Sequence, residues 1–343
     1  MRAVFGRSLW ATRPGRRRGL RRSRSCKSYL LNWLPVVLVC GLFVWAYYAY
    51  VMVFCASMIH DSALKATIFG GGFHLLLFLC LWSYVQTTAA SIAPVPPLYR
   101  LTTGEQQALE NCQNERTRRR LLDGMASERG VLTLGTDGCV RFCEDCCLIK
   151  PDRCHHCSIC QRCIPKMDHH CPWFNNCVCF NTYKFFLLTL FYAVVLSIFG
   201  VSTMGKHVIN MWLKAHMTSI TFQLTFLMVV GTSVVLVLGA FLWHHACMVF
   251  RNETTLEQMR AVIFREPDDS FDVGYRQNFV QVFGKRMWLW MLPVFTSVGD
   301  GVRFPTKIHP LPGTLQHERS VEATYSTGST VDIRSIASVA GIL

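Results

Sequence analysis

The sequence predicts an all-α polytopic membrane protein with four transmembrane helices and a cysteine-rich domain between helices 2 and 3. Three observations support this fold class. The 343 residues are 51% apolar and only 16% charged, whereas soluble domains carry roughly 25% charged residues. Four apolar stretches are long enough to cross a bilayer. Eleven of the 17 cysteines lie between Cys139 and Cys179, in one compact unit.

The four apolar stretches cover residues 30–58, 66–90, 185–204 and 222–250. A bilayer-spanning helix needs about 20 apolar residues, and these stretches carry almost no charge. The alternative, four buried core helices, is disfavoured because the chain has too little polar sequence to cover them. The membrane part is therefore divided into two helix pairs, at 30–90 and 185–250.

Residues 1–29 form a basic arm with ten Lys and Arg residues, and the first acidic residue of the chain is Asp61. An Arg-rich leader without acidic residues is also typical of a mitochondrial transit peptide. A cleaved signal peptide fits poorly, because the apolar segment that follows is much longer than a signal-peptide core. We interpret the arm as cytosolic and able to contact anionic lipid.

Positive charge predicts the orientation of the helices. Lys and Arg number ten in the arm, twelve in segment 91–184 and ten in 251–343, but only one in 59–65 and two in 205–221. Both termini and the long central segment are therefore expected in the cytosol. The net charge of +14 is explained as an orientation signal, and no nucleic-acid partner is needed to account for it.

The segments outside the membrane differ in composition. Segment 91–184 begins with a linker, extended at Pro94–Pro97, continues with a charged amphipathic helix predicted over 104–130, and ends in the cysteine-rich core at 139–184. Residues 251–308 form a cytosolic C-terminal element. Residues 309–343 are rich in Ser, Thr and Gly without periodicity, which predicts disorder. The sequence shows no evident internal repeat.

The cysteine-rich unit is expected to bind metal, because cytosolic thiols stay reduced and a disulfide framework is disfavoured. Its spacing supplies enough ligands for two closed, structural zinc sites with four protein ligands each. The pairing is open from spacing alone, since Cys160 could pair with Cys157 or Cys163. The candidate ligands are Cys143, Cys146, His156, Cys157, Cys160, Cys163, His170 and Cys177, with Cys139, Cys147, Cys154, His155 and Cys179 as spares.

Neither metal site needs Cys171, which lies in the run Asp168-His169-His170-Cys171. If this run is extended, as the following Pro172 favours, alternate side chains share a face. His169 and Cys171 then lie together, and His170 points away towards metal. An imidazole beside a thiol can take its proton, and Asp168 can orient that imidazole. The alternative is that these residues are ordinary finger residues.

The cysteine-rich unit reads Cys143-x2-Cys146-x9-His156-Cys157-x2-Cys160-x2-Cys163-x4-Asp168-His169-His170-Cys171-x5-Cys177. Together with the four-helix layout, this pattern resembles the DHHC-type protein S-acyltransferases, or palmitoyltransferases. The run Thr254-Thr255-Leu256-Glu257 resembles the family's Thr-Thr-x-Glu motif, and residues 271–279 resemble its C-terminal element, with Asn278 at the motif's Asn. The segment Gly299-Asp300-Gly301, followed by Phe304-Pro305, is similar to the branch that includes Golgi and plasma-membrane enzymes. The resemblance covers residues 30–308.

The resemblance implies a role for each matching residue. It makes Cys171 the nucleophile, assisted by His169 and Asp168, and it places Thr255 near Asp168 and Asn278 against helix ends. Four residues depart from the usual pattern without removing a ligand: Cys179 and Thr182, which replace Gly and Asn, and the extra thiols Cys147 and Cys154. It assigns one zinc to Cys143, Cys146, His156 and Cys163, and the other to Cys157, Cys160, His170 and Cys177.

The implied activity is protein S-acyl transfer in two steps. Cys171 takes a long-chain acyl group from acyl-CoA and passes it to cytosolic cysteines of membrane-associated proteins. The implied location is a Golgi, endoplasmic reticulum or plasma membrane. CoA phosphates are expected near Lys150 and Arg153, with Arg141 and His155 close by, and Trp173 is expected to roof the acyl slot. The slot is expected to end at Ala46 and Leu196.

Two other classes of protein fit the sequence less well. A membrane-anchored RING ubiquitin ligase also uses two interleaved zincs, but it needs a closing C-x-x-C pair, whereas the last pair here is Cys171-x5-Cys177. The second class is a non-catalytic membrane adaptor whose fold is stabilised by zinc. A substitution at Cys171 or His169 would favour that class, but both residues are present.

Overall fold

The computed structural model describes residues 26–215 and 218–310. Most of the predicted basic arm (1–29) and of the predicted disordered tail (309–343) lies outside the described residues. Within the described part, four helices are long and apolar enough to cross a membrane: Leu30–Ile59, Asp61–Ala89, Tyr183–Leu213 and Ser219–Arg251. The predicted four-helix membrane protein, with its cysteine-rich region between the second and third helices, is confirmed.

The first two spans form a helical hairpin that turns back at Ser62, since the ring of Tyr50 in the first span stacks on that of Phe73 in the second at 4.3 Å. Helix α1 (Cys26–Tyr47) passes through a π-helical segment, Tyr48–Cys55, into α2 (Ala56–Ala89). The path is broken at Ser62, where φ is −163° and ψ is 97°. This break separates the first span from the second. The other two spans are α5 (Tyr183–Leu213) and α6 (Ser219–Arg251).

Helix α5 runs on to Leu213, beyond the predicted end at residue 204. Lys206 and His207 interrupt the apolar run in the sequence, but one face of the helix stays apolar. Met204 and Val208, one helical turn apart, are buried in a cluster with Leu224 of α6. Packing against α6 therefore continues the helix where the hydropathy pattern predicts its end.

The amphipathic helix predicted over 104–130 is two helices, α3 (Thr103–Glu110) and α4 (Glu115–Glu128). The break falls at residues 111–114, where Asn114 caps α4 by accepting a hydrogen bond from the Arg116 amide at 2.9 Å. Thr102 and Glu105 form a reciprocal capping box at the start of α3. Such local side-chain caps stabilise a new helix start at each point.

The cysteine-rich region consists of short antiparallel two-stranded hairpins. Three follow each other along the chain: β2 (Phe142–Cys143) with β3 (Leu148–Ile149), β4 (His155–Cys157) with β5 (Arg162–Ile164), and β6 (His169–Cys171) with β7 (Asn176–Val178). A further pair joins β1 (Thr133–Leu134) to β8 (Ile263–Phe264). The C-terminal element adds α7 (Thr255–Met259) and α8 (Tyr275–Phe283).

Candidate functional site: two metal clusters and a free thiol

Two groups of four Cys and His side chains have the geometry of metal sites. The Nδ1 of His156 lies 3.4 Å from the Sγ of Cys143 and 3.4 Å from that of Cys146, and the Nδ1 of His170 lies 3.5 Å from the Sγ of Cys160. Zn–S and Zn–N bond lengths in a tetrahedral site imply separations of about 3.6 Å. The residues therefore fit zinc. The two groups are Cys143, Cys146, His156 and Cys163, and Cys157, Cys160, His170 and Cys177.

The three consecutive hairpins repeat every 14 residues, a regularity that the sequence analysis missed. Each first strand ends in a cysteine, Cys143, Cys157 or Cys171, which pairs with the residue five positions on. Each turn also has a residue with positive φ at the same place: Cys147 at 50°, Gln161 at 55° and Asn175 at 46°. The signal is visible in hindsight in the equal spacing of the three cysteines.

The repeat explains why Cys171 is free of metal. In the first two hairpins the strand-end cysteine has a partner three residues on, Cys146 or Cys160, and both belong to a metal cluster. In the third hairpin that position is Phe174, which is buried beside Cys171 in an apolar cluster. Cys171 thus occupies the hairpin position that holds a clustered cysteine in the other two hairpins, but its own hairpin has no second cysteine three residues further on. Its thiol remains available for chemistry.

Cys171 lies where the hairpins meet the membrane helices. It is 6% exposed and belongs to an apolar cluster that includes Val36 of α1, Tyr84 of α2, Phe186 of α5 and Val249 of α6. All four spans therefore contribute to the surroundings of one thiol. The thiol therefore lies in apolar surroundings to which the bilayer-spanning part of the protein contributes.

Asp168 and His169 form the predicted acid–imidazole pair. The Nδ1 of His169 lies 2.7 Å from the Asp168 Oδ2. Thr255 supports the carboxylate, since its amide donates to Oδ1 at 2.9 Å and its hydroxyl to Oδ2 at 2.8 Å. Burial opposes the ionised carboxylate, but the hydrogen bonds from His169 and Thr255 outweigh it and keep the Asp168 pKa below its usual range. The expected position of Thr255 is confirmed.

The imidazole of His169 also interacts with the Cys171 thiol. Burial lowers the pKa of His169, but the hydrogen bond with Asp168 and the interaction with the nearby Cys171 outweigh burial and raise that pKa to about 9. Because Nδ1 is hydrogen-bonded to Asp168, Nε2 is the ring nitrogen that can exchange a proton with the thiol. The structure thus brings together the three residues that the sequence singled out for catalysis.

Arg153 does not fit the expected CoA phosphate contact. Its guanidinium is buried and donates to Glu257 Oε1 at 2.8 Å and Oε2 at 2.7 Å, and also to the Asn252 side-chain oxygen at 2.8 Å. The Thr-Thr-x-Glu motif therefore supplies a buried partner for an arginine of the cysteine-rich region. The guanidinium is not exposed to solvent. The expectation that Arg153 binds a CoA phosphate was therefore wrong.

Replacing Arg153 with methionine should lower the thermal stability of the purified protein strongly. The change leaves the Glu257 carboxylate buried without its partner, which costs about 3–5 kcal/mol in comparable sites. Thermal unfolding in detergent measures the effect. The control is Arg118→Met, which breaks the exposed Arg118–Glu144 pair and should cost at most about 1 kcal/mol. Equal midpoints for the two variants would show that the Arg153 pair does not hold the domains together.

The other proposed CoA contacts differ in accessibility. The Arg141 guanidinium donates to the Thr133 hydroxyl at 2.9 Å and to the Pro151 carbonyl at 3.1 Å, so it is engaged in the fold. Burial, together with Arg141, lowers the pKa of His155 to about 4 and leaves the ring uncharged at neutral pH. Lys150 is half-buried. Trp173 is 54% exposed, and its carbonyl accepts a hydrogen bond from Tyr84 at 2.9 Å.

Asn278 ties the C-terminal element to the fourth span, as expected. Its side-chain amide donates to the carbonyl of Phe250, near the end of α6, at 2.7 Å. Thr182, one of the departures from the family pattern, is well accommodated. Its hydroxyl accepts from the Cys179 amide at 2.9 Å and donates to the Cys177 carbonyl at 2.8 Å. The local turn is therefore satisfied without the usual Asn and Gly.

Two supporting side chains were missed by the sequence analysis. Asn176, on the third hairpin, donates to the Thr87 carbonyl at 3.0 Å and to the Ala90 carbonyl at 3.1 Å, and so caps the end of α2. Asn252 has φ 51° at the end of α6 and accepts from Arg153. An Asn after a long apolar run is a known signal for a helix end, but nothing local indicates its partner 99 residues away.

Comparison with known proteins agrees with the site. A family model described as DHHC palmitoyltransferase matches residues 139–262. Palmitoyltransferase ZDHHC2 of Danio rerio is 38% identical over 282 residues, which covers 81% of this chain and 77% of that protein. Palmitoyltransferase ZDHHC15A of Danio rerio is 38% identical over 299 residues, covering 84% and 90%. Palmitoyltransferase ZDHHC20 of Homo sapiens is 36% identical over 288 residues, covering 82% and 79%.

The fold and the site define a multi-pass membrane enzyme that carries a cysteine-rich domain with two Cys and His clusters that fit zinc, and a further thiol, Cys171, outside both clusters. With these matches, the chain belongs to the DHHC palmitoyltransferase family. It is a protein-cysteine S-palmitoyltransferase, as the sequence resemblance implied.

Proposed function

We propose that this enzyme transfers a long-chain acyl group from acyl-CoA to Cys171 and then to a cysteine of a membrane-associated protein. In the first step Cys171 reacts as a thiolate whose proton is held by His169, and its sulfur attacks the thioester carbonyl. The C–S bond to CoA breaks, and CoA leaves with a proton from the His169 ring. In the second step the acceptor thiol loses its proton to His169 and attacks the acyl-Cys171 thioester. Cys171 is thereby released unchanged.

One observation carries this proposal: His169 and Cys171 lie two residues apart on β6, so their side chains share a face, and Cys171 belongs to an apolar cluster to which all four spans contribute. An acyl chain bound to this thiol can remain among apolar side chains while its thioester faces the imidazole. Burial of each methylene is worth about 0.8 kcal/mol. The free energy of chain burial therefore favours long-chain acyl donors.

The two metal clusters are assigned a structural role. Each cluster offers four protein ligands, which close a tetrahedral zinc site and leave no position for a reacting water. Zinc bound there supplies folding free energy to a region with only short strands. His170 and Cys177 of the second cluster flank Cys171 on the same hairpin, so this metal would also fix the position of the thiol.

The first test follows both halves of the reaction. Purified protein is mixed with palmitoyl-CoA, and free CoA is measured with and without an acceptor protein that carries a cytosolic cysteine. We expect a stoichiometric burst of CoA without acceptor and continued release with it, because the acyl-enzyme is discharged only by the acceptor. CoA release that needs the acceptor from the outset, with no burst, would contradict a covalent intermediate.

Lys150 remains a proposed contact for the CoA phosphates. It follows β3 on the first hairpin, and it is partly exposed, unlike Arg153. Lys150→Glu should raise the KM for palmitoyl-CoA about tenfold with little change in kcat, which is the mark of lost uniform binding. The matched control is Arg120→Glu on α4, which alters the net charge equally and should leave KM unchanged. An unchanged KM in Lys150→Glu would remove the residue from the site.

The acyl slot is proposed to end at Ala46 and Leu196. Both residues are partly buried against one apolar cluster around Tyr50 and Phe73, deep in the helix bundle. Ala46→Phe should shift acylation from stearoyl-CoA towards myristoyl-CoA, because overpacking a filled site costs roughly 1–3 kcal/mol. Competition between the two donors measures the shift. Val44→Phe on the exposed face of the same helix is the control, and equal ratios in both variants would place the slot end elsewhere.

The proposed orientation places both termini and the cysteine-rich domain in the cytosol, with protein acceptors on the cytosolic side of a Golgi, endoplasmic reticulum or plasma membrane. The distribution of Lys and Arg supports this orientation. Acyl-CoA is a cytosolic donor in this scheme, and no nucleic acid takes part.

A further inference from the structure

An unusually apolar and exposed segment follows α8. We call residues 285–295, with the sequence KRMWLWMLPVF, the Trp loop. Within it, Met287 is 70% and Trp288 is 69% exposed, and Met291 and Phe295 are exposed as well. A contiguous apolar surface of this kind indicates an interaction site. The sequence analysis placed this segment in the cytosolic C-terminal element and assigned it no role.

Side chains of the third span hold the Trp loop. The ammonium group of Lys184, in the first turn of α5, donates to the Leu289 carbonyl at 2.8 Å and to the Val294 carbonyl at 3.0 Å. The hydroxyl of Tyr192 donates to the carbonyl of Met291. These are contacts to the backbone of the loop, so they fix its path irrespective of its side chains.

The contact with Tyr192 places the loop beside the early turns of the third span. Tyr192 is nine residues beyond Tyr183, the first residue of α5, which corresponds to about 13 Å along the helix axis. Its side chain leans back towards the helix start, so Met291 is held several ångströms inside the beginning of the span.

The hydrogen bonds also pair part of the loop backbone, which has one 3-10 turn, Met287–Leu289, and is otherwise irregular. Irregular backbone is tolerated at membrane depth only where protein groups pair its polar atoms. Lys184 and Tyr192 pair three loop carbonyls, and the indole of Trp290 donates to the Gly284 carbonyl at 2.9 Å. The loop therefore exposes apolar side chains while its carbonyls are partly paired.

Charge at the start of the loop indicates which part of the lipid it meets. Lys285 and Arg286 are both exposed and immediately precede Met287 and Trp288. Basic residues beside tryptophan are typical of the zone where headgroups meet acyl chains. Each basic residue near an anionic surface also adds attraction to it.

We propose that the Trp loop inserts into the leaflet on the side of the cysteine-rich region, with Met287, Trp288 and Met291 among the acyl chains and Lys285 and Arg286 at anionic headgroups. The loop then contacts the membrane in addition to the four spans. It anchors the C-terminal element, which also holds Asn278, against the bilayer.

Site-specific photo-crosslinking tests this proposal in the full-length protein. Benzoylphenylalanine is placed at position 288, at 291 or, as a control, at 120 on the exposed face of α4. Each protein is reconstituted in vesicles of phosphatidylcholine and phosphatidylserine that carry a labelled lipid. We expect at least tenfold more lipid adduct at 288 and 291 than at 120. Lipid adduct at 288 and 291 equal to that at 120, or adduct to a second protein chain instead of lipid, would overturn the proposal.

The headgroup contact is tested in the same vesicles. The double variant Lys285→Glu with Arg286→Glu should lower the share of phosphatidylserine among the adducts formed at position 288 at least twofold. The matched control, Arg116→Glu with Arg120→Glu on α4, changes the charge equally and should leave that share unchanged. An unchanged share in the loop variant would overturn the assignment of these two residues to anionic lipid.

Discussion

Replacing Cys171 with serine should abolish formation of the acyl-enzyme, by at least roughly 10³-fold, because the serine hydroxyl is not ionised at neutral pH. The fold and both metal clusters should be unaffected. Cys171 is not among the eight clustered ligands, and serine is close to cysteine in size. Labelling with palmitoyl-CoA and metal analysis of the same purified sample give both answers.

Two further variants serve as controls for this prediction. Cys147→Ser, which changes an exposed thiol, should label as the wild type does. His169→Ala should label slowly yet keep two metal ions, because it removes the imidazole without touching a ligand. If Cys171→Ser lost metal, then Cys171 would be a ligand, and the account of the third hairpin as one without its own metal would be wrong.

Replacing His170 with alanine should have the opposite signature, with loss of metal and loss of stability. His170 Nδ1 lies 3.6 Å from the Sγ of Cys157 and 3.5 Å from that of Cys177, at the centre of the second cluster. Structural zinc contributes about 10–16 kcal/mol in small zinc domains, which exceeds the stability of most folded domains. The variant should therefore hold about one zinc per chain or fewer and should unfold at a much lower temperature.

His169 and His170 form a matched pair for this experiment, since they are adjacent but face opposite sides of the same strand. Elemental analysis and thermal unfolding of the two alanine variants should separate them, with zinc lost in His170→Ala alone. Retention of two zinc ions and of the wild-type midpoint by His170→Ala would show that the second cluster does not bind metal as described.

The membrane helices were predictable because their apolar runs have a simple relation to bilayer thickness. The end of α5 was not, because the polar residues Lys206 and His207 hide an apolar face that packs on α6. The break between α3 and α4 was missed for a local reason, since it depends on the cap at Asn114 and not on the pattern of charges.

The arrangement of residues 168–171 and of the two Cys and His clusters was predictable because their spacing along the chain reflects short hairpins. The residues that join distant segments were not. The pair of Arg153 with Glu257 spans 104 residues, and an arginine in a basic stretch looks the same in the sequence whether it binds phosphate or a buried carboxylate. The placement of Tyr192 against Met291 likewise depends on tertiary packing alone.

The central claim is that Cys171 carries the acyl group, and mapping the acyl site tests it most directly. The full-length protein is incubated briefly with palmitoyl-CoA, digested without reducing agent, and analysed by mass spectrometry before and after neutral hydroxylamine. We predict one hydroxylamine-sensitive palmitoyl group on the peptide that contains Cys171, and none on that peptide in Cys171→Ser. A palmitoyl group found on another cysteine at equal or greater occupancy, or an unmodified Cys171 in an enzyme that still acylates its acceptor, would contradict the account.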